Sequence, residues 1–191
     1  IRDRHYLSSK SPIGEFEVLR RREIGVEYSA SHFNGHWYII SNIGKRKNFA
    51  LFRANELSPN KWTPYIEHRD DVLLEGIDLF TDFLVTEERS NGLLKLVIRP
   101  WEGKPHEVTL PEETYTLYTG SNPTEKTENL RFVYTSLITP ATTYEYNMST
   151  REKKILKQTK ILGGYDSTKY VSYRYWATSD DGTKIPISWV G

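Results

Sequence analysis

The sequence contains no cysteine and only one methionine among its 191 residues. The missing thiols exclude disulfide bonds, thiolate metal ligands and a cysteine nucleophile, and they are compatible with a reducing compartment, so we expect a cytoplasmic protein. Long apolar runs are also missing, which excludes a membrane-spanning helix, and Ile1 to Tyr6 include neither an initiator methionine nor a secretory signal. We therefore expect no membrane partner and a chain that begins inside a longer protein.

A strong excess of charge of either sign is missing too. The 26 basic and 25 acidic residues leave a formal net charge of +1, so no overall field attracts nucleic acid. Arg20-Arg21-Arg22 and Lys45-Arg46-Lys47 are basic runs without interleaved aromatic residues, which is typical of connecting turns. The sequence predicts no nucleic-acid partner.

The short motifs of common catalytic and cofactor sites do not occur. No G-x-S-x-G, H-E-x-x-H, P-loop or G-x-G-x-x-G pattern is present. His32 and His36 could share a metal if they were helical, but Phe33-Asn34-Gly35 between them is typical of a hairpin turn. We predict no catalytic residue, no cofactor-binding residue and no metal site in this chain, and therefore no enzymatic activity of the chain alone.

Two charged segments leave an alternative open. Glu67-His68-Arg69-Asp70-Asp71 and Glu87-Glu88-Arg89 are dense in charge, and paired carboxylates can perform acid and base chemistry. A hydrolase that uses Glu87 and Glu88 is therefore a third hypothesis, although most such runs are solvated loops with internal ion pairs.

Aromatic and β-branched residues form a repeat of short strands. The 13 Tyr, 7 Phe and 5 Trp cluster in runs such as 37–40, 83–86 and 132–135, whose first residues are 46 and 49 residues apart. Each run has a smaller strand before it and two partner strands after it. Four strands in a repeat of this length are typical of a β-propeller blade, with a β-sandwich as the alternative. Thr150 to Lys160 could instead form a short helix.

The repeat predicts the domain organisation. Residues 1–22 would supply the outer strands of a preceding blade, and three blades would follow at 23–72, 73–113 and 114–160. Residues 161–191 lie after the last repeat. Within them, 171–177 and 185–190 predict a β-hairpin around the turn 179–182.

Several segments resemble a known family. Ile66-Glu67-His68-Arg69-Asp70 and Arg131 to Leu137 resemble propeller segments of oligopeptidase B, also called protease II, in the prolyl oligopeptidase family of serine peptidases. Gly163-Gly164-Tyr165-Asp166, followed by Asp181 to Ser188, resembles the junction at which that propeller returns to the catalytic domain. The resemblance implies that residues 161–191 are a linker and the first strands of that catalytic domain.

The resemblance implies an all-β fold, a partial β-propeller of about three and a half four-stranded antiparallel blades. Its C-terminal hairpin would enter an α/β-hydrolase domain. That domain, with the catalytic Ser, Asp and His, is not contained in this sequence. The implied partners are that catalytic domain of the same protein and short basic peptides as substrates of the whole enzyme. The implied role is to restrict access to the active site by size. An independent propeller that binds peptides or proteins is the alternative.

Overall fold

The computed structural model describes residues 4–7 and 13–191, and its regular structure is β throughout apart from one 3₁₀ turn at Ser167–Lys169. No helix in the described ranges is long and apolar enough to cross a membrane. The strands are β1 Arg4–Tyr6, β2 Glu17–Arg20, β3 Tyr28–Phe33, β4 His36–Ser41, β5 Ala50–Asn55, β6 Thr63–Ile66, β7 Leu73–Leu79, β8 Phe83–Ser90, β9 Leu93–Pro100, β10 His106–Glu107, β11 Tyr115–Thr119, β12 Asn129–Ser136, β13 Thr142–Asn147, β14 Lys153–Gln158, β15 Ser172–Thr178 and β16 Lys184–Val190.

The strands pair in chain order. Three four-stranded sheets have the orders β3-β4-β5-β6, β7-β8-β9-β10 and β11-β12-β13-β14, and β1-β2 and β15-β16 form two-stranded sheets. Among the described residues, no strand of one repeat enters the sheet of another, so the sandwich alternative is wrong and the predicted all-β, propeller-type fold is confirmed. Lys153–Gln158 is a strand rather than the alternative helix. The predicted strand at 106–110 is shorter, since β10 ends at Glu107.

The chain divides into two compact units, Ile1–Leu74 and Glu75–Gly191. In the first unit, a core cluster lies on one face of β4 and β5, where Ile39, Ala50, Phe52 and Ala54 are buried and pack with the ring of Trp62, while Leu51 is buried on the opposite face of β5. The Trp62 ring also carries the Arg20 guanidinium, 4.8 Å from the ring centroid. Because alternate residues of a strand share a face, Ala50, Phe52 and Ala54 of β5 contribute to this layer together.

In the second unit, one core joins two sheets. It is made of twelve buried residues, six from 80–108 and six from 117–148: Phe80, Phe83, Val85, Leu96, Ile98, Val108, Leu117, Leu130, Phe132, Tyr134, Tyr146 and Met148. Phe132 also stacks on Tyr144, with ring centroids 5.3 Å apart. Since each sheet covers the apolar face of the other, neither sheet alone would bury its apolar face.

Two tight turns fix the register of the long hairpins. Asn34-Gly35 joins β3 to β4 and Asn91-Gly92 joins β8 to β9, and all four residues have positive φ, from 48° to 79°. This combination is the type I′ turn, whose twist matches that of antiparallel strands and which favours Asn-Gly. The turn predicted at Phe33-Asn34-Gly35 is therefore present, and His32 and His36 lie on opposite sides of it.

Candidate functional site

The histidines bond to separate neighbours. The Nε2 atom of His32 lies 3.1 Å from Glu56 Oε2, whereas His36 Nδ1 lies 3.0 Å from the carbonyl oxygen of Asn34. His68 Nε2 accepts a hydrogen bond from the Asn48 amide at 3.3 Å. In 4–7 and 13–191, no three His, Cys, Asp or Glu side chains gather as a possible metal site. The predicted lack of metal, cofactor and catalytic residues stays a prediction.

Glu87 and Glu88 cannot act as a carboxylate pair. They are neighbours on β8 and so project to opposite faces of the sheet. Glu88 is 4% exposed and accepts hydrogen bonds of 2.7 Å from Thr86 Oγ1 and from Arg99 Nη2. Glu87 instead accepts from the backbone amide and the hydroxyl of Thr119 on β11. The structure gives each carboxylate a separate structural partner, which weighs against the hydrolase hypothesis.

The carboxyl group of Asp78 lies near Glu87, where β7 and β11, the first strands of the two joined sheets, come together. Burial, and next the charge of Glu87, raise the pKa of Asp78 on β7, while a hydrogen bond from Thr119 opposes this shift. Gly76 makes room for Glu87, because a Cβ at Gly76 would lie 2.9 Å from Glu87 Oε2. The arrangement places two carboxyl groups beside the first strands β7 and β11.

An open cleft of about 570 Å³ lies between the two sheets of the second unit. Its rim carries charges of both signs, Asp82 and Glu102 against Lys104 and Arg151. Burial, and next the charge of Arg151, lower the pKa of His106 in its wall, and His106 Nε2 lies 3.0 Å from the hydroxyl of Tyr146. This histidine is therefore held by a structural partner, and the mixed rim selects no ligand by charge.

The hairpin β15-β16 has two chemically different faces. Cross-strand pairing sets Tyr173 opposite Trp189, Tyr175 opposite Ile187 and Ala177 opposite Ile185. On this apolar face, the five large side chains are between 44% and 53% exposed. The rings of Tyr173 and Trp189 stack at 5.7 Å. The predicted hairpin is present, and its apolar face is open to solvent.

The chain matches the family model described as "Prolyl oligopeptidase, N-terminal beta-propeller domain" over residues 2–159. The chain belongs to this propeller family. The match ends just after β14, so the hairpin lies outside it.

Curated relatives are peptidases. Dipeptidyl aminopeptidase BI of Pseudoxanthomonas mexicana is 42% identical over 180 residues, which are 93% of this chain and 25% of the relative. Protease 2 of Moraxella lacunata is 29% identical over 186 residues, covering 96% of this chain and 26% of the relative. The chain thus spans about a quarter of the length of the relatives it matches.

The prolyl oligopeptidase propeller is also found in solved structures that superimpose closely on this chain. The closed form of oligopeptidase B from Trypanosoma brucei, with covalently bound antipain, has a TM-score of 0.89 and 29% identity over 98% of this chain and 28% of that one. Oligopeptidase B from Leishmania major has a TM-score of 0.84 and 28% identity over 92% of this chain and 26% of that one. The chain is therefore a propeller domain segment of prolyl oligopeptidase family peptidases.

Proposed function

We propose that this chain is the non-catalytic propeller portion of a cytoplasmic serine oligopeptidase that cleaves short peptides after basic residues. The observation that carries the proposal is the close superposition on oligopeptidase B across nearly the whole chain, hairpin included. The sequence similarity to Protease 2 over 96% of the chain supports it independently. The catalytic Ser, Asp and His would then belong to a second domain of the same protein.

The proposed role of the blades is to select substrates by size. The strands within each sheet pair their backbone groups and a shared core joins two of the sheets, which supports a role for the blades as a rigid wall around a narrow channel. Such a channel excludes folded proteins and admits short peptides without any reactive side chain. Asp78 and Glu87 support a preference for basic peptides, because first strands line the channel of a propeller and these carboxylates lie beside them.

The apolar face of the hairpin supports the second domain. Tyr173, Tyr175 and Trp189 remain about half exposed on a strand pair that follows the propeller match. A contiguous apolar face of this kind normally marks an interaction site. In the proposed whole protein, the catalytic domain covers it.

A peptidase assay tests the proposal. The purified 191-residue chain and the whole protein are each given fluorogenic peptides that carry Arg or Lys at the cleavage site. We expect no turnover above buffer for the chain, and turnover that a serine-directed inhibitor abolishes for the whole protein. Turnover by the chain alone that survives repurification and responds to the same inhibitor would overturn the proposal.

The relative named dipeptidyl aminopeptidase BI favours a second candidate, the release of dipeptides from a free amino terminus. The same peptide with a free or an acetylated amino terminus distinguishes the two activities, because only an aminopeptidase requires the free amine. Equal rates would support internal cleavage.

The size role has its own test, in which one Arg site is placed in an eight-residue peptide and in a folded protein. The whole protein should cleave the peptide and leave the folded protein intact.

A further inference from the structure

The cleft between the two sheets of the second unit has an apolar lining. Phe83 and Met148, which are 6% and 1% exposed, line it together with Pro100 and Trp101. The Trp101 ring is held in place, because its indole Nε1 donates to the carbonyl oxygen of Phe80 at 3.1 Å. A volume of about 570 Å³ beside a fixed aromatic wall is typical of a small-molecule site.

Four charged side chains on the rim of this cleft are unpaired. In the part of the chain that the structure describes, none of them makes a side-chain hydrogen bond or an ion pair, although two are acidic and two are basic: Asp82, Glu102, Lys104 and Arg151. Even Glu102 and Lys104, two residues apart, do not pair with each other. All four charges are therefore available to a molecule bound in the cleft.

The two acidic groups lie at the same end of the cleft. Asp82 is in the turn between β7 and β8, and Glu102 follows β9 by two residues. The backbone amide of Trp101 donates to the carbonyl oxygen of Asp82 at 3.2 Å, which brings this turn next to the end of β9. The inner strands of the first sheet thus form an acidic end.

The two basic groups lie toward β10 and the second sheet. Burial, and next the charge of Arg151, lower the pKa of His106 on β10, so the guanidinium lies on the His106 side of the cleft. Lys104 precedes His106 by two residues. Arg151 is in the turn between β13 and β14 and has a φ of 66°, which is uncommon for a residue with a side chain. This side of the cleft forms a basic end.

The hairpin meets the opposite ends of these strands. Ser172 Oγ donates to Glu112 Oε2 at 3.3 Å, in the linker after β10, and Arg174 donates to the carbonyl oxygen of Asn91, in the turn between β8 and β9. The cleft lies instead at the turns that join β7 to β8, β9 to β10 and β13 to β14. Since successive turns of an antiparallel sheet alternate between its two ends, the hairpin leaves the cleft open.

We propose that this cleft binds a short peptide with free termini, its amino group at Asp82 and Glu102 and its carboxylate at Lys104 and Arg151. A rim with both signs gives no preference for net charge, but it matches a dipolar molecule whose two ends each meet the opposite charge. The apolar wall would contact a side chain between the termini.

The separation of the two ends favours a peptide over a single amino acid. Both charges of an amino acid lie on one carbon, whereas each further residue moves the termini apart by about 3.5 Å. The proposal does not rest on the proposed function, because it concerns only groups of this chain.

Titration of the 191-residue chain with the tripeptide Gly-Phe-Gly, followed by amide NMR spectra, tests the proposal. This probe has no basic residue, so its binding is independent of the proposed cleavage. We expect shifts of the amides of 101–106 and 148–151 and a dissociation constant of about 1 mM. The same peptide with an acetylated amino end and an amidated carboxyl end should bind about tenfold more weakly, because two exposed charge contacts are lost.

Substitutions assign each terminus to its end of the cleft. Arg151→Gln should weaken binding of the free peptide about threefold and leave binding of the amidated peptide unchanged, because both changes remove the same contact. Asp82→Asn should act in the same way with the acetylated peptide. Lys157→Gln, which removes an exposed charge of β14 outside the cleft, is the matched control and should change neither affinity.

Equal affinities for the free and the doubly blocked peptide would overturn the proposal. An absence of shifts at about 10 mM peptide would also overturn it. Binding that amidation abolishes and acetylation leaves unchanged would show an anion site and contradict the dipolar ligand. If Arg151→Gln fails to fold, Lys104→Gln tests the same end. The peptidase assays above use other peptides and the whole protein, so failure of this proposal is distinguishable from failure of the proposed function.

Discussion

The blades of the second unit and the C-terminal hairpin are built from the same kind of strand but bury it to very different extents. Phe132 on β12 is fully buried, whereas Trp189 on β16 is 44% exposed, although both lie in antiparallel strands with alternating side chains. The difference arises because a second sheet covers the apolar face of β12, whereas the apolar face of β16 is open to solvent. Alternation is therefore sufficient to form a strand, and a packing partner decides whether the strand is stable.

Side chains in the blade core should therefore stabilise the chain more than side chains in the hairpin. Phe132 contributes to a core of twelve buried residues from two sheets, while the hairpin depends mainly on cross-strand pairs such as Tyr173 with Trp189. A cross-strand pair stabilises by roughly 0.2 to 1 kcal/mol, and a fully buried large side chain by several times more. Substitutions in the two regions can test this ranking.

The largest effect is expected for Phe132→Ala. The cavity left between the two sheets should lower the free energy of unfolding by about 3 to 5 kcal/mol. Urea denaturation followed by circular dichroism measures it. Tyr118→Ala, on the exposed side of the neighbouring β11, is the control, and an equal loss for both variants would remove the contrast between core and surface.

The next effect is expected for Glu88→Ala. Its removal leaves the Thr86 hydroxyl buried and the Arg99 guanidinium without its 2.7 Å partner, so stability should fall by about 2 to 4 kcal/mol. Glu75→Ala breaks the more exposed ion pair with Arg89 and should cost about 1 kcal/mol or less. If, in the same urea experiment, Glu75→Ala lost more stability than Glu88→Ala, burial would not determine the strength of these ion pairs.

A smaller, pH-dependent effect is expected for Asp78→Asn. The raised pKa of Asp78 means that the folded chain keeps a proton that the unfolded chain loses near pH 3.8. This carboxyl therefore lowers stability as pH rises from about 3.8 through its folded pKa. Asp78→Asn should gain stability relative to the wild type across that window and be more stable at pH 7 by about 1 kcal/mol or less.

Urea midpoints measured between pH 4 and pH 7 check the sign. Asp82→Asn, which removes an exposed carboxylate in the turn before β8, is the control and should follow the wild type. A stability gain of Asp78→Asn that shrinks as pH rises would contradict the placement of Asp78 beside Glu87.

The smallest effect is expected for Trp189→Ala. Its ring contacts Tyr173 and Tyr175 on an exposed face, so the main unfolding transition of the chain should shift by less than about 0.5 kcal/mol. The same substitution in the proposed whole protein should cost more, because the second domain would cover the ring. A loss above about 2 kcal/mol in the 191-residue chain would place the hairpin within the blade core.

Most of the fold was predictable because it depends on local patterns. The strands at 37–40, 83–86 and 132–135 and the turn at Asn34-Gly35 were predicted from alternation, spacing and turn chemistry, and the structure contains them. The domain boundaries at 22, 72, 113 and 160 stay a prediction. β10 was predicted to be longer, because the apolar Val108 is buried in the core without belonging to the strand.

The site was much less predictable because it depends on contacts between distant residues. Glu112 lies 60 residues from Ser172, and Glu87 lies 32 residues from Thr119. Glu112 has no sequence signature, and Glu87 was singled out only as half of a possible carboxylate pair with Glu88, not as a partner of Thr119. The two faces of the hairpin could have been inferred from the alternation of Tyr173, Arg174 and Tyr175, but the choice of which face meets the blades requires the structure.

Native-state hydrogen exchange of the 191-residue chain, in dilute solution, tests the central claim most directly. The claim is that a two-sheet core stabilises β8 and β12, whereas β15 and β16 depend mainly on their pairing with each other and on hydrogen bonds to the blades. We predict that amides of 172–178 and 184–190 exchange at least a hundredfold faster than those at the centres of β8 and β12. Equal protection of the hairpin and the blades would contradict the claim, because the hairpin would then unfold only with the blade core.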